Sequence, residues 1–419
     1  MADETHWVGV EDTIEDPEEL RVIFNALDSY LQYGRHAHFN FTHTRRQAFY
    51  ALPEVHWKRL AAPPFNYLDT LEKVDEAIDS NSELARCIVR TGLPSFVNVP
   101  PGQEHPSLPP QWAGCAKNQD IDKARSTIRQ FYRDWSAAGA SEREACYGPI
   151  MRVLLAEKAS KSPESGNLKV LVPGAGLGRL VFELCLNGFD TEGNEISYHQ
   201  LLASAYILNC CERAGQHTVY PWIHGFSNHR SRANQLRGYP VPDVHPSTEF
   251  ARENPGQPLG TMSMVAADFL CLYSDEAHAE TYDAVATVFF LDTAPNLIRY
   301  LETIFHCLKP GGMLVNNGPL LWHFENSHPG SRGDADGETD TTGIADPGTF
   351  ELTDDEVMAL VQQVGFEVLD RQTGLEAPYI HDAESMLQTV YRASSWMARK
   401  PLTAVRVKNN ATANEPRFP

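Results

Sequence analysis

The sequence predicts an α/β protein: a mostly parallel sheet covered by helices, preceded by a helical N-terminal region. Three observations predict it. From Lys169 onward, short β-branched runs alternate with helical stretches, the pattern of successive βαβ units. Residues 15–95 and Asp120–Glu157 instead carry apolar residues at helical spacing. Where the two textures meet, Val170–Glu195 reads VLVPGAGLGRLVFELCLNGFDTEGNE, a strand, a glycine turn, a helix and a second strand that stops at a carboxylate.

The elements follow in order. EELRVIFNALDSYLQYGRHAHFNFTHTRRQAFYAL reads as helix and is closed at Pro53; YLDTLEKVDEAIDSNSELARCIVRTGL continues it. SFVNVPPGQEHPSLPPQWAG is an irregular, Pro-rich connector, and helix returns over Asp120–Glu157. KVLVPG, FDTEGNE, SMVAADFL, YDAVATVFFLD and GGMLVNNG read as strands, with YHQLLASAYILNCC, NLIRYLETIFHCL and DDEVMALVQQVG as helices. The expected organisation is a helical region over 1–164 that helps enclose the ligands, an α/β domain over 165–403 and a flexible tail over 404–419. Two insertions interrupt the α/β pattern. One, over 222–260, is loop-like; the other, over 327–349, is a Gly/Asp-rich surface loop.

Composition excludes several classes. Hydrophobic residues make up 42% of 419 residues, enough for a sizeable core, and the formal charge of −20 repels phosphate backbones, so no nucleic-acid partner is expected. Eight cysteines form no CxxC pair, and the histidines lack a ligand constellation, so no metal is expected. The opening MADETHWVGVEDTIEDPEEL is acidic and lacks the apolar core of a secretory signal. No run reaches the ~18 uninterrupted apolar residues of a membrane span. The expected setting is aqueous and reducing: cytoplasm, nucleus or both.

The glycines sit directly after the first strand, where an open α/β sheet binds its ligand. Gly174, Gly176 and Gly178 permit a tight turn and close ligand approach. Glu195, at the end of the second strand, can accept hydrogen bonds from both ribose hydroxyls of a nucleoside. A dinucleotide fingerprint is G-x-G-x-x-G; here the order is G-x-G-x-G, as in methyltransferases. KPGGMLVNNG adds a Lys-Pro-Gly-Gly turn before the fifth strand. These features point to S-adenosylmethionine and the class I methyltransferase fold, a Rossmann-like sheet.

PGAGLGRL, FSNHRS, VPDVHP, FFLDTAPN and GPLLWHF together resemble the N2227-like family, whose characterised activity is carnosine N-methylation on the imidazole ring, giving anserine. The resemblance spans roughly residues 20–400. The glycine turn is common to methyltransferases, whereas FFLDTAPN and GPLLWHF are specific to the family. Pro173 departs from the acidic residue often found before the first glycine, and the 327–349 loop is unlike the animal enzymes. The resemblance implies S-adenosylmethionine as cofactor, a histidine-containing dipeptide as substrate, and a homodimer. It implies that Gln130 and Arg133 reach the methionine end of the cofactor, that Gly174 lies against it, and that Glu195 takes the ribose. It further implies that Asp268 and Phe269 flank the adenine, that Ala284 lies near the cofactor through its backbone, and that Asp292, His323, Tyr379 and Tyr391 form the substrate pocket.

Each side chain also has an ordinary reading. Arg133 beside Asp134 reads as a surface ion pair, Phe269 as core, Asp292 as the cap of a helix starting at Thr293–Ala294, and His323 as a core histidine. Tyr379 and Tyr391 have no role apart from the resemblance. The chemistry favours the functional reading for Asp292 and His323. Only the unprotonated imidazole nitrogen can attack a methyl sulfonium. A carboxylate on the other ring nitrogen selects that tautomer and stabilises the developing cation, and a neutral histidine can take the proton released. Protein-histidine methylation, and a non-catalytic binding module, are the competing readings.

Overall fold

A computed structural model describes residues 17–96, 108, 112–162, 166–252, 258–326 and 348–402. The strands are β1 Lys169–Pro173, β2 Asp190–Glu195, β3 His217–Val219, β4 Tyr239–Val241, β5 Met262–Ala266, β6 Tyr282–Val288, β7 Leu308–Gly318, β8 Glu367–Pro378 and β9 Val390–Arg399. Seven of them form one sheet in the order β5-β2-β1-β6-β7-β9-β8, and β3 pairs with β4 in a separate antiparallel ribbon. The β5–β2, β2–β1, β1–β6 and β6–β7 pairs are parallel. β9 runs antiparallel to both β7 and β8. Chain order therefore reverses between β1 and β6. The carboxyl ends of those two strands flank the crevice in which such a sheet binds ligand. Val170, Leu171 and Val172 of β1 are all buried, as expected of a parallel strand covered on both faces.

The N-terminal helices belong to the same core as the sheet. Ile23, Leu27 and Tyr30 from Pro17–Ala37, Val74 and Ile78 from Tyr67–Gly92, and Ile128 and Trp135 from Asn118–Trp135 form one continuous apolar cluster with Val170, Phe182 and Ala286. Polar contacts cross the same boundary: Ser29 Oγ lies 3.0 Å from His199 Nε2, and Tyr30 Oη donates to the His199 carbonyl at 2.6 Å.

Three expectations need correction. The helix read over 15–53 is Pro17–Ala37, a π-turn at His38–His43, and Thr44–Tyr50. The helix read over Asp120–Glu157 is broken at Ser136, whose Oγ accepts Gly139 N–H at 3.1 Å. A Cβ on Gly139 would lie 2.3 Å from the Arg133 carbonyl oxygen, so only glycine lets the next helix, Ala140–Ser160, start there. The first insertion, expected to be loop-like, contains β4 and two short helices, Arg232–Gln235 and Pro246–Phe250. Residues 327–347 of the second insertion and the tail from 403 lie outside the described residues. No helix of the described residues is long and apolar enough to cross a membrane.

Buried histidines give this fold a pH dependence. Burial pushes His199 down from 6.5 to about 4 and also lowers His217. The unfolded chain then binds these protons first, so stability is full above about 6.5 and is lost as pH falls toward about 4. The thermal midpoint should fall between pH 7.5 and 5, and His199→Gln should flatten that dependence. An equal slope in the variant would place the effect elsewhere.

Candidate active site

The turn after β1 is left-handed at each glycine: φ is +68° at Gly174, +59° at Gly176 and +73° at Gly178. Side chains there would be strained, and a Cβ on Gly174 would meet the Phe290 ring at 2.8 Å. The bonds that hold the turn include Ala175 N–H to the Asn194 carbonyl at 2.9 Å, Gly178 N–H to the Ala175 carbonyl at 3.0 Å and Trp135 Nε1–H to the Leu177 carbonyl at 3.1 Å. Gly174 itself is open to solvent.

Glu195 closes the far wall. Its carboxylate accepts N–H groups from Gly176 at 2.9 Å, Ile196 at 2.9 Å and Ser197 at 2.8 Å. Burial raises its pKa, and the three amides oppose the rise. A carboxylate offers about four acceptor positions, so it retains capacity for a further donor. Asp268, after β5, caps the short helix Phe269–Tyr273 by accepting Leu270 N–H at 2.8 Å and Cys271 N–H at 3.0 Å. The Phe269 ring is 4% exposed and packs on Phe290 and Tyr300, with centroids 5.5 and 5.3 Å away. Its side chain is therefore core. Ala284 pairs with Val170 inside the sheet, four residues short of Gly174, or about 13 Å of strand. The residues that β6 delivers to the crevice are Phe289 to Asp292.

The helix Asn118–Trp135 covers the crevice from the N-terminal side. Arg133 is not a surface ion pair. It forks onto Asp134, with Nε at 2.7 Å and Nη2 at 2.9 Å, its side chain is 15% exposed, and Asp134 also accepts Tyr147 Oη–H at 3.0 Å. The guanidinium lies 5.2 Å from the Tyr379 ring centroid. Gln130 is buried, and its Oε1 has no hydrogen-bond partner among the described residues. An orphaned acceptor on the helix whose Trp135 bonds the glycine turn fits a ligand that brings its own donor, as an amino acid's ammonium group does.

Across the crevice, Asp292 is 3% exposed. It does not cap the following helix, Leu297–Cys307, because Asn296 does, accepting Ile298 N–H at 3.1 Å. Asp292 Oδ2 instead accepts Leu321 N–H at 2.8 Å, and its carbonyl accepts His323 N–H at 3.1 Å. These bonds fasten the 321–323 segment beside the end of β6 and use only one of the two carboxylate oxygens. Burial raises the Asp292 carboxyl pKa, opposed by the Leu321 amide and His323. His323 is exposed, which excludes the core-histidine reading. Tyr379 and Tyr391 flank Phe289, at 5.5 and 5.7 Å between centroids, and lie 6.2 Å from each other. Phe289 holds φ at +52°, an outlier for a bulky side chain and characteristic of working sites. Tyr391 is raised by burial, by Tyr379 and by Asp292, so these three groups are neighbours.

Residues 110–402 match the family model described as carnosine N-methyltransferase. The chain is 34% identical over 395 residues to carnosine N-methyltransferase of Rattus norvegicus, covering 94% of this chain and 90% of that protein. It is 35% identical over 393 residues to the Schizosaccharomyces pombe enzyme, covering 93% and 99%. The chain belongs to the carnosine N-methyltransferase family. Its sheet order is that of the class I methyltransferases. Among solved structures, an S-adenosylmethionine-dependent methyltransferase from Methanosarcina mazei matches with a TM-score of 0.31 and 16% identity, over 58% of this chain and 99% of that one.

The family motifs VPDVHP and FSNHRS now have structural roles. Asp243 of VPDVHP accepts Arg143 Nη2–H at 2.8 Å and Arg179 Nη1–H at 2.6 Å. Arg143 also donates to the Arg133 and Ser136 carbonyls, and Arg179 to the Asp134 carbonyl. Asn228 of FSNHRS accepts Met386 N–H at 2.7 Å, joining the first insertion to the loop after Tyr379. Glu142 accepts the amides of Ile380 and His381. Single residues such as Glu142 and Asp243 leave no local signal, since their partners are distant in sequence.

Asp243→Ala would leave two buried guanidinium groups with Glu183 as their remaining carboxylate, 2.7 Å from Arg179 and 3.8 Å from Arg143. We expect a loss of about 3–5 kcal/mol, the usual effect of removing one partner of a buried pair. Urea denaturation checks it, and a loss below ~1 kcal/mol would mean that solvent replaces the carboxylate.

Proposed function

We propose that the protein transfers a methyl group from S-adenosylmethionine to an imidazole nitrogen of carnosine, producing anserine, and acts likewise on related histidine dipeptides. The observation that carries this is the placement of the Asp292 carboxylate and the exposed His323 at the carboxyl edge, across from the glycine turn. Gly174 and Glu195 would hold the nucleoside, Gln130 and Arg133 the amino-acid end, and the backbone at Asp268–Phe269 the base. The bound cofactor supplies an electrophilic methyl group, and the protein's task is alignment.

Asp292 Oδ1 accepts one imidazole N–H, so the other nitrogen presents its lone pair toward the cofactor side. As the ring becomes cationic, the buried carboxylate stabilises it more strongly than water would. His323 accepts the proton and, being exposed, passes it to solvent. Tyr379, Tyr391 and Phe289 wall the ring, and Tyr aromatic faces favour a developing cation. A homodimer fits the exposed Val22, Leu31, Phe39, Tyr50 and Val55 on the N-terminal helices.

Carnosine, free histidine and a histidine-containing peptide, each supplied with labelled S-adenosylmethionine, test the reading. Methylation of the peptide alone would replace it with protein-histidine methylation. His323→Ala should lower kcat by about 10²–10⁴ with cofactor Kd near wild type. Asp292→Asn keeps an acceptor for Leu321 N–H, so it should retain the thermal midpoint and still lose turnover. Normal kcat in both variants would remove them from catalysis. Glu195→Ala should weaken cofactor binding by roughly 1–3 kcal/mol, read by calorimetry.

A further inference from the structure

Resting on the carnosine reading, we infer that Arg129 is the anchor for the dipeptide's carboxylate and so sets the preference for carnosine over its decarboxylated analogue. Arg125, Arg129 and Arg133 are spaced four residues apart on the helix Asn118–Trp135 and so lie along one face. Two have counter-ions: Arg125 Nη2 lies 3.1 Å from Asp122, and Arg133 is forked onto Asp134. Arg129, between them, forms no salt bridge among the described residues, and its Nε is buried without a hydrogen-bond partner.

The surroundings do not neutralise it. Its guanidinium lies 6.0 Å from the Trp222 ring centroid, and the charged or titratable groups that act on it are Arg125 and Tyr379. Burial and Arg125 both disfavour its cationic form. His224 also neighbours it; there the ring Nε2 bonds Tyr33 Oη at 2.7 Å, and burial pushes its pKa down to about 3, so it is neutral. Arg129 is half-buried, with Nε fully enclosed, and a guanidinium so placed without an anion is costly to the fold unless a ligand supplies one.

Carnosine carries one carboxylate, on the carbon that bears its imidazole methylene. Tyr379 walls the imidazole pocket and is also a group felt by Arg129, and Arg133, one helical turn on along the same face, stacks on its ring, so the cation stands beside the ring's place. In a protein of net charge −20, an anionic group needs such a local cation to bind. The planar fork of arginine matches a carboxylate with two parallel hydrogen bonds.

The test pairs an enzyme change with a substrate change. Wild type, Arg129→Gln and Arg129→Lys are assayed on carnosine and on β-alanylhistamine, which lacks the carboxylate, with cofactor Kd by calorimetry and thermal midpoints in parallel. Wild type should prefer carnosine by about 10- to 100-fold in kcat/KM, the range for a charge-assisted bond. Arg129→Gln should reduce that preference to within about threefold, chiefly by raising the KM for carnosine. Arg129→Lys, which keeps the charge without the fork, should fall between. Unchanged cofactor Kd and unchanged rates on β-alanylhistamine are expected in both variants. Preference retained by Arg129→Gln overturns the inference. So does an equal loss on both substrates, or a parallel loss of cofactor affinity. Wild type that methylates neither compound overturns the carnosine reading itself.

Discussion

The site depends on one buried carboxylate. Asp243 lies between Arg143, from the helical region, and Arg179, at the head of the helix that follows the glycine turn. Arg179 and Arg143 reach onward to the carbonyls of Asp134, Arg133 and Ser136, where the cover helix ends. Arg133 and Asp134 lie in the last turn of that helix, where carbonyls lack a helical N–H partner. Three chain regions are thereby locked in one register. Replacing such a cluster by hydrophobic residues of similar volume often leaves stability unchanged, so its value here is orientation. It sets where Gln130, Arg129 and Arg133 stand relative to the glycine turn.

A second device sets the acceptor side. Asp292 holds the 321–323 segment through Leu321 and His323, and Glu142 holds the strand end after Tyr379 through Ile380 and His381. Both are carboxylates that accept backbone amides from distant segments. Each converts a loop, which would be mobile by default, into a wall of fixed geometry. Ile380, at φ +43°, and Phe289, at φ +52°, sit at the two points where these walls meet the sheet; the hydrogen bonds and packing around them offset the strain.

Much of this was legible in the sequence because it is periodic or local. Strand–helix alternation after Lys169, the glycine turn and the carboxylate at Glu195 are short-range signals, and the parallel part of the sheet follows from them. Depth along a strand is not short-range. Ala284 lies well inside the sheet because of its register with Val170, which no local pattern encodes. Phe269 joined the core because Phe290 and Tyr300 arrive from later elements. The ion pair at Arg133 read as superficial because adjacent charges usually are; burial by Tyr147 and Tyr379 changed its meaning. Arg129 is indistinguishable in sequence from its neighbours along the helix face, and only the distribution of acids sets it apart.

Arg133 rests its guanidinium on the ring of Tyr379 while its backbone carbonyl is held by Arg143. One side chain therefore borders both halves of the crevice. Any displacement of the cover helix caused by a ligand on the glycine-turn side is felt by the aromatic wall on the other. Linkage makes that communication reciprocal: whatever factor the first ligand contributes to the affinity of the second, the second returns to the first. Affinities measured with one side of the crevice empty are then properties of a different state from the one that turns over.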